Sequence, residues 1–224
     1  MYYNVGMKKY SIVIPTYNNC EKYLKPCIES IIQYTDMADV ELIVSANGCT
    51  DNTKQYLFYL STVVPNLKAV WNDKPVGFAK ATNEGIKLAS ANRIILLNND
   101  TVLLERDKNQ WLKMLDTGDI SGVWSQYSHI TKRRFAVFFC VMIDRKVFDT
   151  IGLLNEEYGI GGCEDIEFCA KAQDAGFKID LNFDDGSFPI YHAAEGTVLD
   201  PELVQNWAQV FAQNEAKLAS KYAA

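Results

Sequence analysis

The first half of the chain repeats one arrangement four times: a short apolar run, a polar loop and a segment with helical periodicity. The apolar runs span residues 10–15, 40–44, 67–71 and 94–97. The helical patterns span roughly residues 19–34, 51–60 and 78–90, and a further one at residues 111–115 follows at the start of the second half. Short apolar runs bounded by turn-forming residues are typical of buried strands. Strands that alternate with helices predict a parallel sheet with helices on its faces.

Each predicted strand ends in a polar loop. The loops are Thr16-Tyr17-Asn18, Asn47-Gly48, Asn72-Asp73-Lys74 and Asn98-Asn99-Asp100. Asn and Asp suit plain turns, which is one interpretation of these loops. The other is a binding site, because the carboxyl ends of parallel strands meet at one edge and ligands bind there. The sequence has neither Gly-x-Gly-x-x-Gly nor the P-loop pattern, so both of those phosphate-binding fingerprints are excluded.

The second half has a different pattern, without a linker before it. Residues 123–127 and 135–143 are predicted strands of a mixed sheet, and residues 145–150 and 164–175 are predicted helices. A closing amphipathic helix is predicted to begin at Asp200-Pro201, a suitable cap and first position. Its apolar residues are Leu203, Val204, Trp207, Val210 and Phe211. We predict one compact α/β body, with a nucleotide-binding type of half over residues 1–104 and an accessory half over residues 105–224.

Composition narrows the class of protein. The formal charge of −6 gives no support to nucleic-acid or anionic-membrane binding through net charge. The six cysteines form no Cys-x-x-Cys pair and have no His at zinc-finger spacing, which predicts reduced, buried thiols. No secretory signal and no apolar stretch of membrane-spanning length is recognisable. We therefore expect a cytoplasmic protein, whose association with a membrane would be peripheral.

Asp165 is out of place on its predicted helix. A helical wheel puts Glu164, Glu167, Lys171 and Asp174 on one polar stripe. Asp165 instead falls in the apolar arc, where a charge is costly unless it is paired or functional. The alternative is that Asp165 caps the helix. Burial and Glu164 would raise the pKa of Asp165 and the helix N-terminus would lower it, a balance that suits a general base.

A glycine pair and the two histidines of the chain also bear on function. Gly161-Gly162 precedes it and predicts a loop that can close over a substrate. The chain has two histidines. His129 is interpreted as a structural or surface residue, and His192, which follows a short apolar run, is left open by the residues alone.

Seven segments of the chain together resemble one family. They are YSIVIPTYN (10–18), ELIVSANGCTDNT (41–53), NDKPVGFAKATNEGIKLA (72–89), RIILLNNDT (93–101), CVMIDRKVFDTIGLLNEEY (140–158), GGCEDIEFCAKAQDAGFKI (161–179) and YHAAEGT (191–197). In this order they resemble the glycosyltransferases of family 2, which have the GT-A fold. The resemblance covers about residues 10–197. It implies a Rossmann-like nucleotide-binding half with a mostly parallel sheet, fused to a mixed α/β acceptor half.

The resemblance also implies a donor site. The residues it places around the base and ribose of a nucleotide sugar are Pro15, Thr16, Tyr17, Asn18 and Asn47. Lys80 and Asn83 lie on the segment that would face the phosphates and ribose. Asn98, Asn99 and Asp100 stand where the family has its DXD-type motif. Asn98 would contact the ribose or a metal-bound water, and Asn99 is either a donor contact or a plain turn residue.

The same resemblance implies the catalytic and metal residues. Asp100 would bind a divalent metal and His192 would complete that site. Asp165 would be the general base, with Glu164 supporting the site or the acceptor. Mg²⁺ and Mn²⁺ both take oxygen ligands, and the imidazole of His192 leans towards Mn²⁺. Two departures stand out: Ala46 replaces a common Asp near the base, and Asn98 removes one carboxylate from the metal motif.

These features predict an enzyme, a metal-dependent inverting glycosyltransferase that uses a nucleotide-diphosphate sugar, with UDP-sugars favoured. A role in polysaccharide biosynthesis fits the class. The acceptor stays open among a glycan, a lipid-linked sugar, a protein and a modified nucleic acid. The alternatives are a non-catalytic nucleotide-sugar or carbohydrate-binding protein on the same fold, and a nucleotidyltransferase. The first has no need of Asp165, and the second would want a Gly-rich basic loop after the first strand.

Overall fold

The computed structural model describes residues 9–104, 107–181, 183, 186–194 and 206–223. The first four strands are β1 (Tyr10–Thr16), β2 (Val40–Asn47), β3 (Leu67–Asn72) and β4 (Arg93–Leu97). They lie in the order β3-β2-β1-β4 and are all parallel. The helices between them are α1 (Lys25–Tyr34, after a π-helical turn at Cys20–Leu24), α2 (Thr53–Val63) and α3 (Phe78–Leu88). The predicted parallel sheet with its helices is thus confirmed.

The second half extends this sheet and adds two small ones. Its strands are β5 (Thr101–Leu103), β6 (Ile120–Gly122), β7 (Ser125–Ser128), β8 (Arg133–Ala136), β9 (Cys140–Asp144), β10 (Ile179–Asp180) and β11 (Ile190–His192). Its helices are α4 (Gln110–Leu115), α5 (Arg145–Ile151), α6 (Glu164–Asp174) and α7 (Trp207–Tyr222), with a 3₁₀ turn at Glu156–Tyr158. Over the described residues the main sheet has seven strands in the order β10-β6-β9-β4-β1-β2-β3, in which β9 runs antiparallel to β4 and β6. The boundary between halves at residue 104 stays a prediction.

The predicted strand over residues 135–143 is wrong as one element. The extended conformation is interrupted at Val137–Phe139. The reason is that β8 pairs with β7 in a separate two-stranded ribbon, whereas β9 joins the main sheet. The N–H of Phe139 turns back to the carbonyl of Val137, 2.9 Å away. The predicted strand over residues 123–127 overlaps β7 from Ser125 onwards, while Val123 and Trp124 form the bend between β6 and β7. Apolar patterning could not show this, since both pieces are buried whichever sheet they join.

The core lies on both faces of the main sheet. Alternate residues of β1 point to opposite sides: Ile12 and Ile14 pack with α1 residues, and Val13 packs towards α3. This period of two explains why the central strands read as continuous apolar runs. All six cysteines are buried and free, as predicted. Within the described residues, no helix has the length and apolarity needed to cross a membrane.

The predicted start of the closing helix cannot be compared with the structure. Asp200, Pro201, Leu203 and Val204 lie outside the described residues. In the described part α7 begins at Trp207, and the side chain of Asn206 caps it by accepting the N–H of Gln209.

Candidate active site

A cavity of about 370 Å³ opens at the edge where β1, β2 and β4 end. The residues that the strand ends contribute are Pro15, Thr16, Tyr17, Asn47, Asn98, Asn99 and Asp100. The second half contributes Glu164, Asp165 and His192, together with a largely apolar wall. Ten of the predicted site residues therefore lie around one cavity, and Asn18, Lys80 and Asn83 do not.

The loops after β1 and β2 are fixed to each other and to the segment before α3. The side-chain oxygen of Asn18 accepts the N–H of Thr50 at 2.8 Å, which ties the two loops together. The side-chain oxygen of Asn47 accepts the N–H of Val76 at 2.6 Å. Gly48 has φ +77°, and a Cβ there would lie 2.3 Å from the nitrogen of Pro75. The cavity edge is therefore held by close backbone packing, in which Asn18 has a structural role.

The turn after β4 is hydrogen-bonded to the end of β1. Asn99 Nδ2 donates to Thr16 Oγ1 at 2.9 Å, and both residues line the cavity. The backbone N–H of Asn98 donates to the carbonyl of Phe139, so the turn is also fixed to the second half. Asn99 is thus more than the plain turn residue that the sequence left open.

Asp100 is the least satisfied carboxylate at this edge. It is 4% exposed, and neither carboxylate oxygen has a hydrogen-bond partner within the described residues. His192 Nε2 lies 3.2 Å from Asp100 Oδ1, without the alignment of a hydrogen bond. The antiparallel pair β11–β5 brings His192 opposite Thr101, and the ring of Phe139 stacks on His192 at 4.3 Å. The topology thereby joins two residues that are far apart in the sequence.

This pair fits a divalent cation. A buried carboxylate without partners is costly, and a metal ion would satisfy it. Carboxylate oxygen suits Mg²⁺ and Mn²⁺, and imidazole suits the transition metal better. No group of three potential metal-binding side chains occurs in the part of the chain that the structure describes. Asp100 and His192 are thus the two described side chains at this place whose atoms suit a divalent cation.

The first turn of α6 places two carboxylates at the opposite wall. Helix α6 begins at Glu164, and Cys163, at φ 77°, occupies the cap position without a side-chain hydrogen bond. Cys163 and not Asp165 therefore stands at the cap position, but Asp165 Oδ1 accepts the N–H of Ile166 at 2.8 Å and so satisfies a free N–H group of the first turn, as the capping alternative expected. Asp165 is half-buried and Glu164 is 8% exposed. Glu164 Oε2 has no partner among the described groups.

Burial raises the pKa of both carboxyl groups. For Asp165, burial outweighs the backbone N–H groups of Ile166 and Phe138, which favour its charged form. For Glu164, burial comes first and the charge of Asp165 adds to it. Backbone N–H groups lower the pKa of both carboxyl groups, but only Glu164 carries the added cost of a neighbouring charge, so Asp165 is the one of the two that ionises first. Of the two opposing effects predicted for the pKa of Asp165, burial is the larger, so the pKa is raised.

Glu167 corrects the predicted polar stripe. It was expected to share that stripe with Glu164 and Lys171, yet it is 3% exposed. Tyr158 Oη donates to Glu167 Oε2 at 2.6 Å, and Asn155 and Lys221 donate to the same oxygen. Lys171 Nζ lies 3.0 Å from Glu167 Oε1. Folding thus buries a position that the wheel alone assigns to solvent, because the 3₁₀ turn and α7 cover it.

Comparison with known proteins now bears on this arrangement. The sequence pattern of Glycosyl transferase family 2 matches residues 11–136. The chain belongs to glycosyltransferase family 2. The glycosyltransferase AglE of Haloferax volcanii is 25% identical over 202 residues, which are 78% of this chain and 64% of AglE. An Escherichia coli protein, UDP-Glc:alpha-D-GlcNAc-diphosphoundecaprenol beta-1,3-glucosyltransferase WfgD, is 28% identical over 120 residues, 54% of this chain and 46% of its own.

The fold agrees with this family. The mannosyltransferase PcManGT from Pyrobaculum calidifontis, solved with GDP-Man and Mn²⁺, superposes with a TM-score of 0.62 at 16% identity. The superposition covers 82% of this chain and 59% of that one. The architecture is thus the GT-A fold that the sequence resemblance implied. The chain spans less than two thirds of the length of each of these relatives.

Two predicted donor residues lie away from the cavity, on α3. Asn83 is buried, its Nδ2 donates to the carbonyl of Leu154 and to Glu156 Oε1, and its Oδ1 accepts the N–H of Leu154. With both ends of its amide used to hold the 153–156 segment, Asn83 is left out of the donor site that we propose. Lys80 is exposed on the same helix and does not line the cavity.

Several cavity residues escaped sequence reasoning. Trp207 and Phe211 were interpreted only as the apolar face of a closing helix, and both line the cavity. Gln126 and Phe138 also line it. An apolar stripe at helical spacing looks the same whether it packs in a core or borders a cavity. The one sequence signal is Gly162, where the absence of a side chain lets the two rings approach.

Proposed function

We propose that this chain transfers a sugar from a nucleotide-diphosphate sugar to an acceptor hydroxyl, with inversion at the anomeric carbon. The observation that carries the proposal is the shared cavity. Asp100 and His192 border it from the sheet edge, and the half-buried Asp165 borders it from α6. A site for an anionic leaving group and a carboxylate of raised basicity are the two parts that such a transfer needs.

The donor would lie along the strand ends. Pro15, Thr16, Tyr17 and Asn47 are available to the base and ribose, and Asn98 and Asn99 to the ribose or phosphates. We favour a UDP-sugar because WfgD is named for UDP-Glc. PcManGT was solved with GDP-Man, which makes the nucleotide a matter for experiment. Ala46 stands where relatives carry Asp, so specificity for the base would come from other contacts.

Asp100 and His192 would hold Mn²⁺ or Mg²⁺, and Mn²⁺ is present in the PcManGT complex. Bound there, the ion would supply charge stabilisation to the departing diphosphate. With Asp100 and His192 as its two side-chain ligands, the ion would remain open to the anionic donor. Asn99, held by Thr16, keeps the turn that carries Asp100 in place.

Asp165 would remove the proton from the acceptor hydroxyl as its oxygen attacks the anomeric carbon. One displacement inverts the configuration and needs no carboxylate nucleophile, unlike the retaining glycosidases. The N–H donors at the start of α6 keep Asp165 ionised, while burial keeps it basic. Glu164, protonated more readily, would position the acceptor or donate a hydrogen bond to it.

The alternatives predict a different cavity. A binding protein on this fold gains nothing from two buried carboxyl groups of raised pKa. A nucleotidyltransferase would want a basic Gly-rich loop after β1, and Pro15-Thr16-Tyr17-Asn18 is not one. Neither alternative is favoured by an observation of its own.

The test begins with thermal unfolding in the presence of UDP-, GDP- and dTDP-sugars, with and without Mn²⁺. A donor that binds the native state raises the melting temperature. Nucleotide release is then measured with the donor so identified. Asp100→Asn keeps the size of the side chain and removes its charge, so it should abolish the metal-dependent part of the shift. Absence of any shift with all donors, or full metal dependence in Asp100→Asn, would contradict the proposal.

A further inference from the structure

The cavity lining is divided by chemistry. The strand ends supply amides, hydroxyls and one carboxylate, whereas the second half supplies mostly hydrocarbon. The apolar residues of this wall include Phe135, Phe138, Ile160, Ile166, Trp207 and Phe211. Beyond Glu164, Asp165 and His192, the polar side chain that the second half adds to the described lining is Gln126. One part of the cavity is thus suited to a polar donor and the other to an apolar group.

Trp207 and Phe211 form the outer part of the apolar wall. They are four residues apart on α7, and their ring centroids are 6.0 Å apart with planes tilted by 41°. Both rings lie on Gly162: a Cβ there would be 3.0 Å from Phe211 Cδ2 and 3.3 Å from Trp207 Cη2. Gly162 lies three residues before Asp165, so the aromatic pair packs against the loop that leads into the proposed base and lines the same cavity as that base.

The aromatic pair is held in a fixed position by α7. Asn214, 2% exposed, donates both hydrogens of its amide nitrogen to carbonyl oxygens, those of Tyr158 and Gly161, each at 2.9 Å. Lys217 Nζ donates to the carbonyl of Glu157 at 2.9 Å. These contacts tie the helix to the loop that leads into α6. The wall and Asp165 are therefore parts of one rigid arrangement, as a binding site requires.

We infer that this wall is the acceptor subsite and that it takes an amphipathic acceptor, a hydroxyl-bearing head joined to an apolar group. The inference rests on the proposed function. The head would face Asp165 and Glu164, and the apolar group would lie against Trp207 and Phe211. A purely polar acceptor would bring several hydroxyls against hydrocarbon, where they lose their hydrogen bonds to water. An apolar group gains affinity from the same wall.

A matched pair of probes tests this directly. Octyl β-D-glucopyranoside and methyl β-D-glucopyranoside share one head and differ in the apolar group. Their dissociation constants are measured by ligand-detected NMR below the concentration at which octyl glucoside forms micelles. Burial of a few methylenes predicts that the octyl compound binds about 30- to 100-fold more tightly. Equal binding of the two compounds overturns the inference.

Variants distinguish binding at this wall from nonspecific hydrophobic binding elsewhere on the surface. Trp207→Ala and Phe211→Ala should each weaken octyl glucoside binding about tenfold, and Trp207→Phe should retain most of it. Trp207→Leu and Phe211→Leu give the same comparison with less disturbance of α7, should an Ala variant fail to fold. The control is Phe58→Ala, because the ring of Phe58 is 75% exposed on α2 and does not line the cavity. Unchanged octyl binding in the Trp207 and Phe211 variants, or an equal loss in Phe58→Ala, overturns the inference.

The probe experiment does not depend on the donor. The shift of the wild-type melting temperature with nucleotide sugars and Mn²⁺ is measured separately. If that shift is missing while octyl glucoside discriminates as expected, the proposed transfer is wrong and the apolar subsite stands. If the shift is present while the two glucosides bind alike, the transfer stands and the acceptor class is wrong.

Discussion

Helix α6 presents neighbouring carboxylates to two different surroundings. Glu164 and Asp165 border the cavity, whereas Glu167, one turn later, is packed beneath Tyr158 and α7. Glu164 and Glu167 are almost equally buried, 8% and 3% exposed. Their pKa values nevertheless move in opposite directions. Burial and the charge of Asp165 raise the pKa of Glu164. Burial also opposes ionisation of Glu167, but hydrogen bonds from Tyr158, Asn155, Lys171 and Lys221 lower its pKa to about 2.

The difference shows that partners, and not burial alone, decide what a buried carboxylate does. Glu167 has its oxygens occupied and fastens α7 to α6, which is a structural role. Glu164 and Asp165 keep capacity for a substrate, which is what a functional pair requires. By the directions of these pKa shifts, ionisation of Glu164 and Asp165 opposes folding, whereas ionisation of Glu167 favours it. Substitutions on the two sides of this helix should therefore have opposite signatures.

Asp165→Asn should have the largest effect. It removes the base while keeping the size and the hydrogen bond from Ile166. We expect nucleotide release at saturating donor to fall by about 100- to 10,000-fold, the usual contribution of general acid–base catalysis. The donor's dissociation constant should change little, because Asp165 lies on the acceptor wall. A variant that retains the wild-type rate would assign the base elsewhere.

Glu167→Gln should lower stability. A folded-state pKa below the ordinary carboxyl value means that ionised Glu167 stabilises the fold above about pH 4.5. Its loss should reduce the free energy of unfolding at pH 7 by about 3 kcal/mol. The difference from wild type should shrink as the pH falls towards 2, measured by urea unfolding. Glu157→Gln is the control, since its carboxylate, also near Lys221, is 71% exposed. An equal loss in both variants would remove the special role of Glu167.

Glu164→Gln should do the reverse. Because the folded-state pKa of Glu164 is raised, its ionisation opposes folding, and wild-type stability should decline as pH rises from about 4.5 towards that pKa. The variant should be more stable at pH 7 by roughly 1–3 kcal/mol and equal to wild type near pH 4. A variant that is less stable at pH 7 would mean that Glu164 has a partner that stabilises its charge.

Lys171→Met should have the smallest effect. Its side chain is 45% exposed, and it pairs with Glu167 at four residues' spacing on the helix surface. Such pairs contribute about 0.3–0.5 kcal/mol. Unfolding at pH 7 should therefore change by less than about 0.5 kcal/mol, with Glu167 still held by Tyr158, Asn155 and Lys221. A loss as large as that of Glu167→Gln would place most of the network's stabilisation in this pair.

Much of the donor side could be predicted from the sequence. Strand and loop positions are local signals, and parallel strands necessarily bring Thr16, Asn47 and Asp100 to one edge. The pairing of Asp100 with His192 could be expected from the family resemblance alone, because it depends on the antiparallel contact of β11 with β5. Local sequence patterns do not indicate which distant strands pair with each other.

The acceptor side could be predicted less well. The burial of Glu167, the break at Val137–Phe139 and the cavity position of Trp207 all arise from elements that meet only in the folded chain. Asn83 shows the same limit of sequence analysis among the residues predicted for the donor site. Its segment resembles a family motif, but its side-chain amide donates to the carbonyl of Leu154 and accepts the N–H of Leu154, which is a structural role.

The pH dependence of nucleotide release at saturating donor and Mn²⁺ tests the contrast on α6 most directly. The active form has Asp165 ionised, and burial raises its pKa, so the rate should fall on acidification with a midpoint clearly above the ordinary Asp value of about 3.9. Asp165→Asn should be slow and should lack this limb, while Glu167→Gln should keep it wherever the protein stays folded. A midpoint at or below about 4, or the same limb in Asp165→Asn, would contradict the assignment of Asp165 as the base.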